Sequence, residues 1–199
     1  FTLVKNRGEL KMFYLMLGLI ACGGADLDTA PAQETAEESP IHWDECSYRI
    51  GEHICNVQLT SSDLQDFDLY EHYGRPIVIQ LAAEWCGPCH VAGSHAEQFM
   101  ADWAAEDLLW VTILMENDQG QEPTAEDLSE WVSSHGINNS VVLAGSRSLI
   151  DATGVNGFPL TSWPTLIILD KDMVVFHGFS GWSEEYLTQK LTDMQMQGR

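Results

Sequence analysis

Short apolar runs rich in Val, Ile and Leu are spaced along the chain after its first third. Runs of this kind, bounded by turn residues, predict buried β-strands. The last two are separated by a Lys-Asp turn, which predicts an antiparallel hairpin. The predicted strands occupy residues 77–83, 108–116, 140–144, 165–170 and 173–179.

Between and after these runs the pattern changes to a helical period. Apolar side chains recur every four residues over 91–103 and predict one helix, whose apolar face is interrupted by His95. Residues 124–127 resemble a capping box, and the helix that they begin is predicted to end at Gly136. A final helix is predicted over 183–194. This order of elements predicts an α/β fold in which helices flank a central mixed sheet.

Residues 41–59 form two short apolar-polar stretches on either side of Gly51, which predicts an N-terminal hairpin. Cys46 and Cys55 lie on its opposite arms. Because cross-strand neighbours in a hairpin come within bonding distance, we predict a structural disulfide between them. Two free thiols or a metal pair are the alternatives, although the spacing is poor for zinc.

The first forty residues differ in composition from the rest of the chain. A cationic segment with Lys5, Arg7 and Lys11 precedes an uncharged apolar run at 12–21, which is too short to span a bilayer as a helix. This arrangement is typical of a secretory signal, with a buried core helix as the alternative. The segment 23–40 is small and acidic, which predicts a flexible tether because it buries too little surface to offset its ordering entropy.

The sequence LIAC, which ends at Cys22, resembles the lipobox of bacterial lipoproteins. The resemblance implies that Cys22 carries lipid and begins the mature chain; an ordinary cleaved signal with a spare thiol is the alternative. We therefore divide the chain into a lipoprotein-type signal peptide at 1–21, a flexible acidic tether at 22–40 and a folded domain at 41–199. This division places the protein in the cell envelope, anchored to the inner or the outer membrane and facing the periplasm.

The chain is strongly acidic, with nine Lys and Arg against thirty Asp and Glu and a net charge of −21. A charge of this sign repels phosphate backbones, which argues against nucleic acid as a partner. Solubility accounts for the charge, and steering toward a basic protein is the alternative. Binding that weakens with added salt distinguishes the two.

Cys86 and Cys89 follow the predicted strand at 77–83 and begin the next helix. The unpaired N–H groups and the positive dipole end of a helix lower the pKa of a thiol placed there and favour the attacking thiolate. Gly87 permits a tight turn, and Pro88 has the fixed φ suited to a first helical turn. The placement favours a redox-active pair, with a static disulfide and a metal site as alternatives.

The sequences WCGPC at 85–89 and SWPTLIILD at 162–170 are similar to the two signatures of the thioredoxin superfamily, a cysteine pair and a cis-proline before a strand. The resemblance covers residues 77–191 and implies a thioredoxin-like fold, with Cys86 as nucleophile and Cys89 as resolving thiol. No cofactor and no metal site are predicted. Substrate contacts are implied for six residues: Trp85, Gly87, Pro88, Trp163, Pro164 and Thr165.

A central helical insertion at 118–162, the N-terminal hairpin and the anchor resemble the exported, membrane-tethered TlpA-like branch of the superfamily. The branch implies a thiol-disulfide oxidoreductase that acts on protein disulfides or dithiols and exchanges electrons with a membrane donor or acceptor. The alternative is a surface-tethered binding module whose cysteine pair is structural or binds metal. A peroxidase is disfavoured, because its catalytic cysteine normally lacks the Gly-Pro-Cys that follows here.

Three residues depart from the superfamily pattern. Gln80 stands where thioredoxin has a buried Asp, and an amide is unable to act as a general base for the resolving cysteine. Trp163 is bulkier than the usual residue before the cis-proline. His90 is expected to be a solvated histidine on the helix, and the alternative is that it stabilises the nucleophilic thiolate when it is protonated.

Overall fold

The structure, a computed structural model, describes residues 41–199. The predicted signal peptide at 1–21, the tether at 22–40 and the lipidation site Cys22 lie outside the described residues. Among the helices of residues 41–199, none has the length and apolar character needed to cross a membrane.

The strands fall into a small hairpin and a central mixed sheet. Within residues 41–199 they are β1 (Gln58–Thr60), β2 (Asp66–Asp68), β3 (Ile77–Ala83), β4 (Leu109–Glu116), β5 (Val141–Ala144), β6 (Thr165–Leu169) and β7 (Val175–Ser180). The sheet has the order β5-β4-β3-β6-β7; β3 is parallel to β4, β4 is parallel to β5, and β6 is antiparallel to β3 and β7. Every residue of β3 and β4 is buried, which explains their nearly continuous apolar sequences.

The α-helices pack on the face of this sheet that carries Val78 and Ala82, and the segment N-terminal to the sheet packs on the other face. The helices are α1 (Gly87–Ser94), α2 (Ala96–Asp102), α3 (Ala125–His135) and α4 (Glu184–Met196). The capping box predicted for α3 is present: the Thr124 hydroxyl accepts the N–H of Asp127, whose carboxylate accepts the N–H of Thr124. Gly136 ends α3 with a φ of 63°. The predicted α/β fold with a mixed central sheet and a central helical insertion is therefore confirmed.

The single helix predicted over 91–103 is divided into α1 and α2 at His95. The ring Nδ1 of His95 lies 2.8 Å from the carbonyl oxygen of Val91, and its backbone N–H donates instead to Ala92 at 3.0 Å. A side chain that takes a carbonyl of the preceding turn interrupts the helical ladder. The interruption of the apolar face at His95 thus coincides with a break in the helix itself.

Alternate residues of β3 pack into different parts of the core. Ile77, Ile79 and Leu81 face a cluster that includes the segment N-terminal to the sheet, whereas Val78 packs with side chains of α2 and α4. Nearer the end of the strand, Ala82 joins a third cluster with α1 and α3. The two covered faces give the layered architecture, and the third cluster surrounds the start of α1.

The N-terminal hairpin is present, and its predicted position about Gly51 was wrong. Its strands are β1 and β2, which pair antiparallel. The residues about Gly51 form a turn, not strands, in which the N–H of Ser47 donates to the carbonyl of His53 at 2.9 Å. This turn also bonds to the β6–β7 hairpin: Gly51 donates to the carbonyl of Val175 at 2.8 Å, and Ile54 donates to that of Met173 at 2.9 Å. The alternation of apolar and polar residues about Gly51 therefore reflects bonding to residues 173–175, which lie far along the chain.

This N-terminal segment touches both edges of the central sheet. At one edge, the N–H of Val175 donates to the carbonyl of Glu52 at 2.9 Å. At the other, Ser61 forms a bridge with Leu143, and the N–H of Ser62 donates to Val142 at 2.9 Å. We call residues 47–62 the clasp, because they bond to the strands at the two ends of the sheet.

Candidate active site

The junction between β3 and α1 holds the cysteine pair. Cys86 caps α1 and is joined to Cys89 by a disulfide, while its sulfur also accepts the backbone N–H of Cys89 at 3.1 Å. Pro88 lies in the first turn, where its missing N–H leaves no helical bond unmade. Cys86 keeps 4% of its surface exposed and Cys89 keeps none, so an incoming reactant meets Cys86 first.

Trp85, immediately before the pair, is nearly half exposed and is held by a buried carboxylate. Its indole N–H donates to Glu116 Oε2 at 2.8 Å. Glu116 ends β4 with 2% of its surface exposed, and its other oxygen is paired with the Arg147 guanidinium. Sequence reasoning missed Glu116 and Arg147. The sequence did carry a signal for Glu116, a carboxylate at the end of a buried strand. Because adjacent parallel strands bring their carboxyl ends together, this carboxylate was to be expected near the cysteine pair that follows β3.

The segment at 163–165, which we call the docking edge, lies beside the pair. The peptide bond between Trp163 and Pro164 is cis. The Trp163 ring meets the Trp85 ring edge to face, with centroids 5.8 Å apart, and packs against the cluster that contains both cysteines. Thr165 is buried, and its hydroxyl donates to the Ser162 carbonyl at 2.8 Å, so it closes the turn.

Gln80 lies fully buried beneath the pair, and both the nitrogen and the oxygen of its amide are hydrogen-bonded. Its amide NH₂ donates to the carbonyl of Cys89 at 2.9 Å. Its amide oxygen lies 3.3 Å from both the Trp110 indole nitrogen and the Thr112 hydroxyl, which donate to it. Gln80 is therefore an uncharged structural link between β3, β4 and α1. It occupies the position at which thioredoxin has a buried Asp.

His90 is not a solvated side chain on α1. Its Nε2 lies 2.6 Å from the Glu84 carbonyl oxygen and its Nδ1 lies 3.0 Å from Nε2 of His135, the last residue of α3. The ring stacks on Trp131 with centroids 4.7 Å apart. Burial lowers the pKa of His135. Sequence reasoning attached no role to His135, because its contact with α1 depends on the packing of two helices.

Cys46 and Cys55 also form a disulfide, which lies in the N-terminal segment. Cys55 packs against the core cluster on the face of the sheet that this segment covers. Within the described part of the chain, no group of three or more His, Cys, Asp or Glu side chains is arranged to hold a metal ion. The chemistry that the described residues offer at the β3–α1 junction is that of a dithiol and its disulfide.

The comparisons with known proteins agree with this fold. The ResA thiol-disulfide oxidoreductase of Halalkalibacterium halodurans is 22% identical over 73% of this chain and 77% of its own. Two solved structures share the fold: a DsbF homologue from Corynebacterium diphtheriae (19% identity, TM-score 0.57, 78% of this chain and 96% of that one) and the exposed lipoprotein thioredoxin Etrx1 of Streptococcus pneumoniae (23%, 0.51, 70% and 99%).

The fold and the cysteine pair, with these relatives, define the class as a thioredoxin-like thiol-disulfide oxidoreductase. The model of the AhpC/TSA family matches residues 50–177, a span that contains both the pair and the docking edge. The chain belongs to the AhpC/TSA family.

Proposed function

We propose that the protein is an exported, membrane-anchored oxidoreductase that exchanges disulfides with protein substrates through Cys86 and Cys89. The observation that carries this proposal is the asymmetry of the pair. Cys86 keeps 4% of its surface exposed at a helix N-terminus and is packed with the docking edge, whereas Cys89 is fully buried one turn inward. One sulfur is thus placed to meet a partner and the other to meet only the first.

In the reducing direction, the Cys86 thiolate attacks one sulfur of a substrate disulfide. A bond forms between Cys86 and that sulfur, the substrate disulfide breaks, and the other substrate sulfur leaves as a thiolate that takes a proton. The Cys89 thiol then gives up its proton and attacks Cys86, which releases the second substrate thiol and leaves the Cys86–Cys89 disulfide. Two electrons have passed to the substrate, and the oxidising direction is the reverse.

The local geometry supports Cys86 as the attacking sulfur. The backbone N–H of Cys89 is directed at it from 3.1 Å, and the positive end of the α1 dipole lies at the same point. Both favour the thiolate over the thiol. Because Gln80 supplies no base, the proton of Cys89 must leave through water or through the substrate thiolate.

The docking edge supports a protein substrate. The Trp85 and Trp163 rings present apolar surface beside the cis-proline and next to Cys86. Next to Thr165, the docking edge borders a groove of about 340 Å³ whose lining includes Arg49. We propose that the substrate segment crosses this edge so that its disulfide reaches Cys86.

The decisive experiment traps the intermediate. A Cys89→Ser variant is expected to accumulate mixed disulfides with its substrates in cells, because the step that releases them is removed. Cys86→Ser is the matched control and should trap none. Recovery of no covalent partner by Cys89→Ser, together with full activity of Cys86→Ser, would contradict the proposal and leave a tethered binding module.

The anchor is a separate part of the proposal, which rests on the sequence at 1–40. Cys22 would carry the lipid and 23–40 would hold the domain away from the membrane, with a membrane protein supplying or accepting electrons. Among the proteins of similar fold, Etrx1 is described as an exposed lipoprotein. A Cys22→Ser variant is expected to lose metabolic labelling with a fatty acid and to move from the membrane to the soluble envelope fraction. Unchanged labelling would remove the anchor and leave the exchange chemistry intact.

A further inference from the structure

His90 and His135 form a hydrogen-bonded chain that ends on a backbone carbonyl at each side. Nε2 of His90 faces the Glu84 carbonyl oxygen at 2.6 Å, and Nδ1 of His135 faces the Trp131 carbonyl oxygen at 2.7 Å. The two inner nitrogens, Nδ1 of His90 and Nε2 of His135, are 3.0 Å apart. The rings are nearly parallel, at 15°, with centroids separated by 5.0 Å.

This chain needs one proton more than two neutral imidazoles supply. A carbonyl oxygen only accepts, so each outer nitrogen carries a proton. The Ser134 hydroxyl lies 3.0 Å from Nδ1 of His135 and donates its own proton to the Trp131 carbonyl. Toward Nδ1 of His135 this hydroxyl is therefore also an acceptor. The inner nitrogens are at hydrogen-bond distance and need a third proton between them. Three protons on two rings amount to one positive charge.

We propose that His90 and His135 share one proton as a unit and that this charge stabilises the Cys86 thiolate, with His90 bearing the charge and His135 acting as a positioning residue. The inference rests on the proposed function and deepens it, because it names the groups that set the reactivity of the pair. It also assigns a role to His135, which acts on the cysteine pair through its hydrogen bond with His90.

The position of the charge follows from the hydrogen bonds of His90. Its ring lies four residues after Cys86 on α1 and reaches back to the carbonyl of Glu84, which precedes Cys86 by two residues. The charge is therefore held beside the first turn of α1. A positive charge near a thiolate favours it over the thiol, and the interaction is reciprocal, so the thiolate must raise the affinity of the pair for its proton.

The surroundings of the two rings act in both directions. Glu84, Asp118 and Glu130 line a cavity of about 130 Å³ with His90, and carboxylates favour a proton on the pair. The pKa of Glu84 is raised, chiefly by burial. The hydrogen bond from the Asp118 N–H lowers this pKa, and the neighbouring carboxylates, Asp127 first among them, raise it further.

Helix dipoles and burial complete the balance. The C-terminus of α3, where His135 lies, favours a positive charge, whereas the N-terminus of α1 disfavours one. Burial lowers the pKa of His135. This burial supports His135 as the neutral member, which accepts at Nε2 and donates at Nδ1.

The first test follows the two rings by ¹⁵N NMR in the oxidised full chain, where the sulfurs do not titrate. We expect one proton to leave the pair between about pH 5 and 8, the range in which imidazoles change charge, and the remaining two to stay. In the reduced protein the same loss should occur at higher pH. Two rings that lose protons independently, or a pair that is neutral throughout this range, would overturn the proposal.

The second test measures the alkylation rate of Cys86 by iodoacetamide across pH, in a Cys89→Ser background that leaves one thiol of the pair. His90→Gln and His135→Gln should each slow the reaction at pH 6 about tenfold, the effect of one pKa unit on the thiolate fraction. His177→Gln, a histidine bonded to Tyr186 on another surface, is the control and should leave the profile unchanged. Equal profiles in all four proteins would overturn the proposal.

The outcomes separate this inference from the proposed function. Mixed disulfides trapped by Cys89→Ser, together with unchanged alkylation in the two histidine variants, would refute the inference alone. No trapped partner, with a shared proton and slowed alkylation in both variants, would refute protein exchange and support the inference.

Discussion

At the scale of single residues, the position of Gln80 changes how the resolving step must work. A buried carboxylate there would take up the proton of Cys89, but an amide offers only fixed hydrogen bonds. Gln80 instead joins the Cys89 carbonyl to the Thr112 hydroxyl and the Trp110 indole. Gln80 therefore supports the geometry of the cysteine pair but takes no part in removing the proton of Cys89. That proton must pass to water or to the substrate thiolate.

The Gln80→Leu variant tests this structural role. Leucine fills most of the volume but leaves the buried Thr112 hydroxyl without its acceptor, so we expect the free energy of unfolding to fall by about 1–3 kcal/mol. Urea unfolding followed by Trp fluorescence measures the change. Gln98→Leu, on an exposed position of α2, is the control and should shift it by less than about 0.5 kcal/mol. Equal stability of the two variants would show that the buried bonds of Gln80 contribute nothing.

At the scale of elements, one carboxylate ties α2 to the start of β5. Glu97 accepts the backbone N–H groups of Asn139 at 3.0 Å and Ser140 at 2.8 Å. Burial raises the pKa of Glu97, but the hydrogen bonds from Ser140 and Asn139 outweigh it and hold the pKa at about 2, below its ordinary 4.5. The folded state therefore favours the ionised form.

This shift predicts how stability depends on pH. Because the folded pKa is lower than the unfolded one, the stabilisation is complete above pH 4.5 and is lost as pH falls through about 2. Glu97→Gln should lower stability at pH 7 and flatten the loss of stability on acidification in that window. Urea unfolding at several pH values measures it, with Gln98→Ala as a control that keeps the wild-type slope. An unchanged slope in Glu97→Gln would contradict the assignment.

The sequence predicted those elements whose signals are local. The apolar run of β3 and the capping box of α3 fix their own ends, and the cysteine pair and Pro164 are short motifs. The break at His95 comes from the bond of its ring to the Val91 carbonyl, a choice that the spacing of apolar residues does not reveal. The pairing of the turn about Gly51 and the contact of His90 with His135 depend on neighbours that only the tertiary fold supplies. No alternation or spacing along the chain reports such contacts, so these features were missed or misplaced.

At the scale of the whole molecule, the disulfide between Cys46 and Cys55 closes a loop with a separation of nine residues. Within this loop lie Gly51 and Ile54, which bond to the β6–β7 hairpin. The cross-link therefore restricts the unfolded chain and, in the folded one, holds the clasp in position at one end of the sheet.

The paired substitution Cys46→Ser and Cys55→Ser is expected to reduce the free energy of unfolding by about 2–3 kcal/mol, the loop-closure entropy for a ring of this size. Redox titration of Cys86 and Cys89 should be unchanged, because the two disulfides lie in different parts of the fold. Urea unfolding under oxidising conditions measures the first, and Trp fluorescence in thiol buffers measures the second. A shifted midpoint for the cysteine pair would show that the disulfides are coupled.

The clasp has a further consequence for how copies of the protein behave when they are crowded together. A bare strand at the border of a sheet serves as a template for another chain, and such pairing leads to aggregation. Here residues 61–62 form backbone contacts with β5, and residues 51–54 form backbone hydrogen bonds at the start of β7. Detaching the clasp, rather than opening the cysteine pair, is the change that would turn this redox domain into a seed for self-assembly.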